Sequence, residues 1–309
     1  MSQQDRRQSM ASDENGLHGA VSNGSLEAKT VELFEQAGLH ITRVPRRHVA
    51  IVGHPLVQEV VFMRPQHIPW AVAEGKFDVG ICGLDCVEES GVAVSVEALL
   101  PYSRRTSGPA RVVLVVAADN NADSVSCGAT VLSEYPRITS KWLKGLRPPV
   151  SGVTIVPSVG STEAMVPELA PYGVCLVETG ESLAQNNLRI AATLLETTTV
   201  LISNIHASEG LVREKGQLVT HLRRLLLGTL EAREQAMLVM NVPVEKEGVV
   251  LGVFPAMKQP TVIGLAGGKY VSISAAVSRA EVVDIFQVVL EAGAEDVLEL
   301  PITRMIRHK

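Results

Sequence analysis

The residues Val174-Cys175-Leu176-Val177-Glu178-Thr179-Gly180-Glu181-Ser182-Leu183 decide how the chain is read. Four apolar residues suit a buried parallel strand, and the acid, hydroxyl, glycine and hydroxyl after them form a tight polar turn that opens a helix. A turn of this kind can hold a phosphate. Its free amides and the positive helix end face an anion, Thr179 and Ser182 add hydroxyl donors, and Gly180 lets the backbone approach closely. An ordinary helix cap has the same pattern, so the turn takes its meaning from its neighbours.

Immediately upstream, residues 153–157 predict a strand closed by Ser158-Val159-Gly160-Ser161-Thr162-Glu163, which runs into a helix. Two such strand, hydroxyl-glycine turn, helix units can converge at the carboxyl edge of one sheet, where α/β proteins bind ligands. Further out, the apolar residues 17–22 are followed by Asn23-Gly24-Ser25-Leu26 and a helix ended by Gly38. Residues 59–63 predict a strand, Arg64 to Pro69 a proline-initiated helix ending at Gly75, and Phe77 to Asp85 a buried strand with a glycine-ended turn. This alternation marks a doubly wound α/β lobe. The polar, arginine-containing crossing 103–108, set before the apolar strand 112–117, fits a hinge between two lobes. A strand at 129–132, the turn Ser133-Glu134-Tyr135-Pro136 and a helix at 137–146 continue the second lobe.

After a strand at 197–203, a helix from about 209 to 233 carries Leu218, Leu222, Leu225, Leu226 and Leu230 on its apolar side. Arg213, Lys215, Arg223 and Arg224 form its solvated face. The rhythm then changes. Strands at 236–242, 261–265, 270–277 and 297–302, with helices at 245–254 and 281–292, give the order βαββαβ of the ferredoxin-like split motif. The expected organisation is a disordered tail at 1–16, lobe I at 17–108 and 200–233, lobe II at 109–199, and a ferredoxin-like domain at 234–309.

Composition narrows the function classes. With 46% apolar and 20% charged residues the chain is globular, and a net charge of −5 argues against nonspecific nucleic-acid binding. The first fifteen residues lack the apolar core of a secretory signal, and the longest apolar run, 112–118, is too short to span a bilayer. A cytoplasmic protein without membrane contact is expected. Cys82, Cys86, Cys127 and Cys175 sit in apolar surroundings and read as buried thiols, and the Cys82/Cys86 spacing is not zinc-like. Arg43, Arg46, Arg47 and His48 form a basic cluster that a solvated face explains as well as a ligand does. The lack of GxSxG and of a Walker lysine excludes the common hydrolase and kinase patterns.

Together these stretches resemble the long form of the ATP phosphoribosyltransferase family. The resemblance rests on Asn23 to Leu26, Arg64 to Pro69, Asp78-Val79-Gly80-Ile81-Cys82-Gly83, Ser133 to Pro136, Gly160 to Ala164, Glu178-Thr179-Gly180, Pro260-Thr261-Val262 and the closing 297–302. It implies two lobes like a periplasmic binding protein plus a ferredoxin-like regulatory domain. In the implied reaction N1 of ATP displaces pyrophosphate from the anomeric carbon of phosphoribosyl pyrophosphate with Mg²⁺ as cofactor. This opens histidine biosynthesis, with histidine as inhibitor and dimers or hexamers as the assembly.

By that resemblance Glu178, Thr179, Gly180, Glu181, Ser182, Leu183, Gly160, Ser161 and Glu163 meet phosphoribosyl pyrophosphate. Asn23, Gly24, Ser25, Arg64, Gly80, Gly83 and Arg111 meet ATP, and Asn241, Thr261 and Ser272 lie near the histidine effector. Catalytic residues and metal ligands are not assigned. The family usually has an acid at the position of Cys175, where it meets the ribose hydroxyls; a thiol accepts such bonds poorly. An intracellular protein that binds nucleotide or histidine without turnover is therefore the alternative.

Overall fold

Residues 16–44, 47–102, 109–204 and 212–306 are described by the structure, a computed structural model. Residues 1–15 of the expected tail, Arg46, the 103–108 crossing and the first residues of the helix expected from 209 lie outside the described residues. The chain divides into two compact units, one of residues 1–35 with 39–223, the other of 36–38 with 224–309.

In the first unit the chain runs through β1 (Leu17–Ser22), α1 (Glu27–Gln36), β2 (Ile41–Arg43), β3 (Val49–His54), β4 (Val57–Met63), α2 (Ile68–Ala73), β5 (Val79–Gly83), α3 (Leu84–Ser90) and β6 (Ser95–Leu100). β1 lies parallel to both β4 and β5 and is buried at five of its six residues. A strand covered on both faces reads as a nearly unbroken apolar run, as Leu17 to Val21 does apart from His18, with the closing Ser22 buried and donating to Ile81 O.

The next elements are β7 (Ala110–Ala117), β8 (Thr130–Ser133), α4 (Pro136–Gly145), β9 (Thr154–Pro157), β10 (Tyr172–Val177), α5 (Glu181–Gln185) and β11 (Leu188–Thr197). They form a second sheet of order β11-β7-β10-β8-β9. The chain then returns through β12 (Thr199–Ser203), which pairs antiparallel with β5 and β6 and completes a first sheet of order β2-β3-β4-β1-β5-β12-β6. The helix α6 (Val212–Arg233) follows.

The second unit contains β13 (Gln235–Pro243), α7 (Glu247–Val253), β14 (Thr261–Gly264), β15 (Tyr270–Ser278), α8 (Val282–Glu291) and β16 (Glu295–Pro301). The sheet order β14-β15-β13-β16, antiparallel throughout, is the ferredoxin-like arrangement. Alternate residues of β13, Ala236, Leu238, Met240 and Val242, are fully buried against Val250 of α7 and Ile285 and Val289 of α8. Ala266-Gly267-Gly268 forms the hairpin between β14 and β15.

Three expectations need correction. β10 is parallel only to β8 and antiparallel to β7, because the second sheet is closed by strands that run back toward the first. Cys127 is exposed, since it falls in the irregular surface segment between β7 and β8, whereas Cys82, Cys86 and Cys175 are buried. Lys215 is not simply solvated, for its Nζ lies 2.7 Å from Asp78 Oδ1. Within the basic cluster, Arg43 sits on β2, with its guanidinium 3.6 Å from the centre of the Phe62 ring and an ion pair to Glu27.

Candidate functional site

The opening stretch forms β10, a turn at Glu178 and Thr179, and the one-and-a-half-turn helix α5. Gly180 caps that helix with φ of +80°, a left-handed conformation that a side chain would strain. The first helical bond of α5 runs from Ala184 N to Gly180 O, so the amides of Ser182 and Leu183 before it have no partner within the helix. They border a cavity of about 510 Å³ lined by Ser25, Glu163, Cys175 and the chain from Leu176 to Gly180, with Ser182 and Leu183.

Apolar packing fixes the loop from beneath. Leu183 is buried with Cys175, Val177, Val113, Val115 and Leu188. Arg111 lies directly across from Val177 on β7 and therefore shares its face. Ser182 Oγ donates to Glu163 Oε1 at 2.7 Å, which holds the carboxylate at the rim. Cys175 is 2% exposed, and burial, with the neighbouring Glu163 and Glu134 carboxylates, pushes its thiol up to about 12. The thiol is neutral at physiological pH.

A second cavity of about 50 Å³ lies beside the first. It is lined by Leu26, Pro65, Gln66, Gly83, Asp85, Cys86, Tyr102, Ala110, Tyr135 and Thr197 to Thr199, together with Leu176 and Glu178 of the loop strand. Asp85 is its structural centre. Its Oδ2 accepts from the Tyr135 hydroxyl at 2.9 Å, and its Oδ1 accepts from Thr197 Oγ1 at 2.9 Å, all three groups being buried. Asp85 belongs to α3, Tyr135 leads into α4, and Thr197 ends β11, so one carboxylate ties the two sheets to the strand that crosses between them. Burial, and then the Asp85 charge, raise the Tyr135 hydroxyl far above its ordinary range. Nearby, Glu89 of α3 accepts the first free amides of α4, Arg137 N and Ile138 N, both at 2.9 Å.

The two cavities gather part of the residues expected from the sequence. Glu163, Glu178, Thr179, Gly180, Ser182, Leu183 and Ser25 line the first, and Gly83 lines the second. Asn23, Gly24, Arg64 and Arg111 neighbour lining residues in the chain without being among them. Glu181 is exposed and outside the lining. Gly160 and Ser161, at φ of +75° and +56°, shape the turn that carries Glu163.

Gly80 is buried and lines neither cavity; a Cβ there would stand 2.5 Å from Ile68 Cγ2, so the glycine makes room for helix-on-sheet packing. The sequence argument missed Asp85, Tyr102 and Thr197 to Thr199. In the sequence Asp85 stands only at the end of a strand and its glycine-ended turn, although its partner Tyr135 lies in the Ser133-Glu134-Tyr135-Pro136 motif. In the second unit Asn241 and Ser272 pair directly across β13 and β15, and Thr261 lies on the same face, away from the helices. Asn241 Nδ2 donates to Asp296 Oδ2 at 3.2 Å.

Among the described residues no group of three or more His, Cys, Asp or Glu is placed to hold a metal ion, and no helix is long and apolar enough to cross a membrane. Residues 64–225 match the family model described as ATP phosphoribosyltransferase, and residues 232–304 match that of the HisG C-terminal domain. The ATP phosphoribosyltransferase of Pelotomaculum thermopropionicum is 39% identical over 295 residues, which cover 94% of this chain and 99% of that protein. That of Desulforudis audaxviator is 38% identical with the same coverage.

A solved ATP phosphoribosyl transferase (HisG:HisZ) complex from Thermotoga maritima has a chain of similar fold. Its TM-score is 0.58 at 21% identity, with 70% of this chain and 98% of that chain covered. These matches do not favour the reading as a binding protein without turnover. On the family models and on relatives aligned over almost their whole length, the chain belongs to the ATP phosphoribosyltransferase family and is a phosphoribosyl-transferring enzyme of histidine biosynthesis.

Proposed function

We infer that the enzyme holds the 5-phosphate of phosphoribosyl pyrophosphate on the loop Glu178 to Leu183 and the adenine of ATP toward the second cavity. The observation that carries this reading is that the two cavities share Leu176 and Glu178. A ribose anchored by its phosphate in one cavity then has its anomeric carbon within reach of a base in the other. Bond making between N1 and that carbon, with loss of pyrophosphate, needs alignment and charge stabilisation rather than a covalent intermediate. Thr179, the α5 amides and Gly180 would bind the phosphate. Ser25, Arg64 and Arg111 would face the polyphosphate side, with Asn23, Gly24 and Gly83 shaping that edge.

Cys175 cannot serve the ribose hydroxyls, so Glu163 and Glu178, which line the same cavity, take that role. The same two carboxylates suit Mg²⁺, which is usually held by one or two carboxylates, substrate phosphates and water. When bound with the substrate it would neutralise pyrophosphate charge. The two α/β layers act as lobes I and II with the assigned boundaries of 17–108 with 200–233 and 109–199. The domain at 234–309 is regulatory, with histidine inhibiting through the face that carries Asn241, Thr261 and Ser272. Cytoplasmic location and assembly into dimers or hexamers follow from the family resemblance.

The test is formation of phosphoribosyl-ATP, followed by its absorbance, from ATP, phosphoribosyl pyrophosphate and Mg²⁺ with pyrophosphatase present. No product would overturn the reading. Thr179→Asp sets a negative charge against the bound phosphate and should raise KM for phosphoribosyl pyrophosphate at least tenfold, a cost of about 1.4 kcal/mol. An unchanged KM would remove the loop from the binding site.

A further inference from the structure

Behind the phosphate loop, hydrogen bonds and short stretches of backbone together form a closed circuit. Glu134 follows β8, and its backbone N–H donates to Val174 O of β10 at 3.0 Å, so Glu134 lies beside Cys175. Its Oε1 accepts from Thr162 Oγ1 at 2.9 Å. Because a hydroxyl has one proton and that of Thr162 goes to Glu134, Ser158 Oγ must donate to Thr162 Oγ1 across the 2.6 Å between them. Thr162 is fully buried, and it opens the single turn Thr162–Ala164 that carries Glu163. Glu163 in turn accepts from Ser182 in α5, which follows β10 by way of the loop. The circuit therefore starts and ends on the strand that supports the loop.

Two features give the circuit a task. The turn it pins contains Ser161 at φ of +56°, a left-handed conformation unusual for serine, so the backbone there needs an external hold. In addition, Glu163 brings negative charge to a cavity read as a phosphate site, where a freely rotating carboxylate would repel the ligand. Fixed by Ser182 at one oxygen, it leaves the other for a hydroxyl donor.

We propose that Glu134, through Thr162, is a positioning residue for phosphoribosyl pyrophosphate: it sets the Glu163 turn against Ser182 and so fixes the loop in its binding geometry. The proposal rests on the reading of the loop as the phosphate site. The hydrogen-bonded run from Ser158 through Thr162 to Glu134 reaches Ser182 by the backbone of the turn, since Thr162 and Glu163 are consecutive, so losing the Thr162 hydroxyl loosens the turn that holds Glu163 against Ser182.

The experiment compares steady-state kinetics of the full-length enzyme with Thr162→Val, Thr162→Ser, Ser182→Ala and the double variant Thr162→Val with Ser182→Ala. Thr162→Val keeps the side-chain shape and should raise KM for phosphoribosyl pyrophosphate about fivefold, the order expected for one lost hydrogen bond, with kcat and the KM for ATP within twofold. Thr162→Ser should restore the wild-type KM. The double variant should be no worse than the more damaging single one, because both cut the same circuit. Should Thr162→Val fail to fold, Glu134→Gln, which keeps the shape and removes the charge, replaces it with the same expected rise. Multiplying effects in the double variant, or a KM unchanged by Thr162→Val while Thr179→Asp raises it, overturns the circuit and leaves the loop reading intact. A KM unchanged by Thr179→Asp overturns both.

Discussion

Replacing Tyr135 with phenylalanine isolates the bond that ties the two sheets together at the cleft. The ring is 9% exposed and packs among Val112, Val131, Ile138 and Val174, so phenylalanine keeps the apolar contacts and loses only the hydroxyl. That hydroxyl donates to Asp85 Oδ2, and a hydrogen bond to a carboxylate contributes about 1.5–3 kcal/mol. Asp85 keeps its donor from Thr197, and Cys86 Sγ lies 3.6 Å from the same oxygen, so the carboxylate is not orphaned.

The cost should therefore fall near the middle of the range, about 2 kcal/mol, or roughly thirtyfold in the equilibrium between joined and separated sheets. Urea denaturation of the wild type, Tyr135→Phe, Asp85→Ala and the double variant gives the coupling free energy directly. Tyr135→Phe should also raise the KM for ATP, since both groups line the second cavity. A coupling near zero would refute the assignment of Asp85 as the tie between the sheets.

Two further outcomes follow from buried groups. Gly80→Ala places a methyl 2.5 Å from Ile68 Cγ2 and 3.0 Å from Val72 Cγ2, both on stiff β-branched side chains. It should lower stability by about 1–3 kcal/mol, as overpacking does, while leaving both KM values near wild type; a large KM change at full stability would return Gly80 to the ligand site. Burial raises Cys175 from 9.0 to about 12 and also raises Cys82 and Cys86. The folded state then holds these protons more tightly than the unfolded chain does. Its stability is complete below pH 9 and falls as pH climbs toward 12, by up to about 4 kcal/mol for Cys175 alone. Denaturation midpoints across that window should fall less steeply for Cys175→Ala, and identical slopes would contradict the assignment.

What the sequence made legible follows from which signals are local. The loop at Glu178 to Leu183, the β1 run and the βαββαβ order of the second unit were readable because periodicity and turn chemistry sit in contiguous residues. The strands β6 and β11 escaped notice because their partners, β12 and β7, lie far along the chain, and β11 shifts register against β7 twice and breaks any simple alternation; β2 and β3 pair with near neighbours but were hidden by the short, polar stretch that carries β2. Asp85, Tyr135 and Thr197 are separated by 50 and 112 positions from one another's bonds, and no spacing rule reaches that far. Gly80 adds a glycine in a recognisable motif whose need for room against a helix no local pattern announces.

The uneven burial of the four thiols also makes the protein its own probe of motion. Cys127 stands exposed, and hydrogen bonding from the Ser151 backbone lowers its pKa, so a thiol reagent finds it at once. Cys175, sealed beneath the phosphate loop, can react only while β10 and the loop part. With Cys127, Cys82 and Cys86 replaced, the rate at which Cys175 is labelled becomes a clock for opening of the binding site, read without any turnover, and a ligand that clamps the loop slows that clock in proportion to its occupancy.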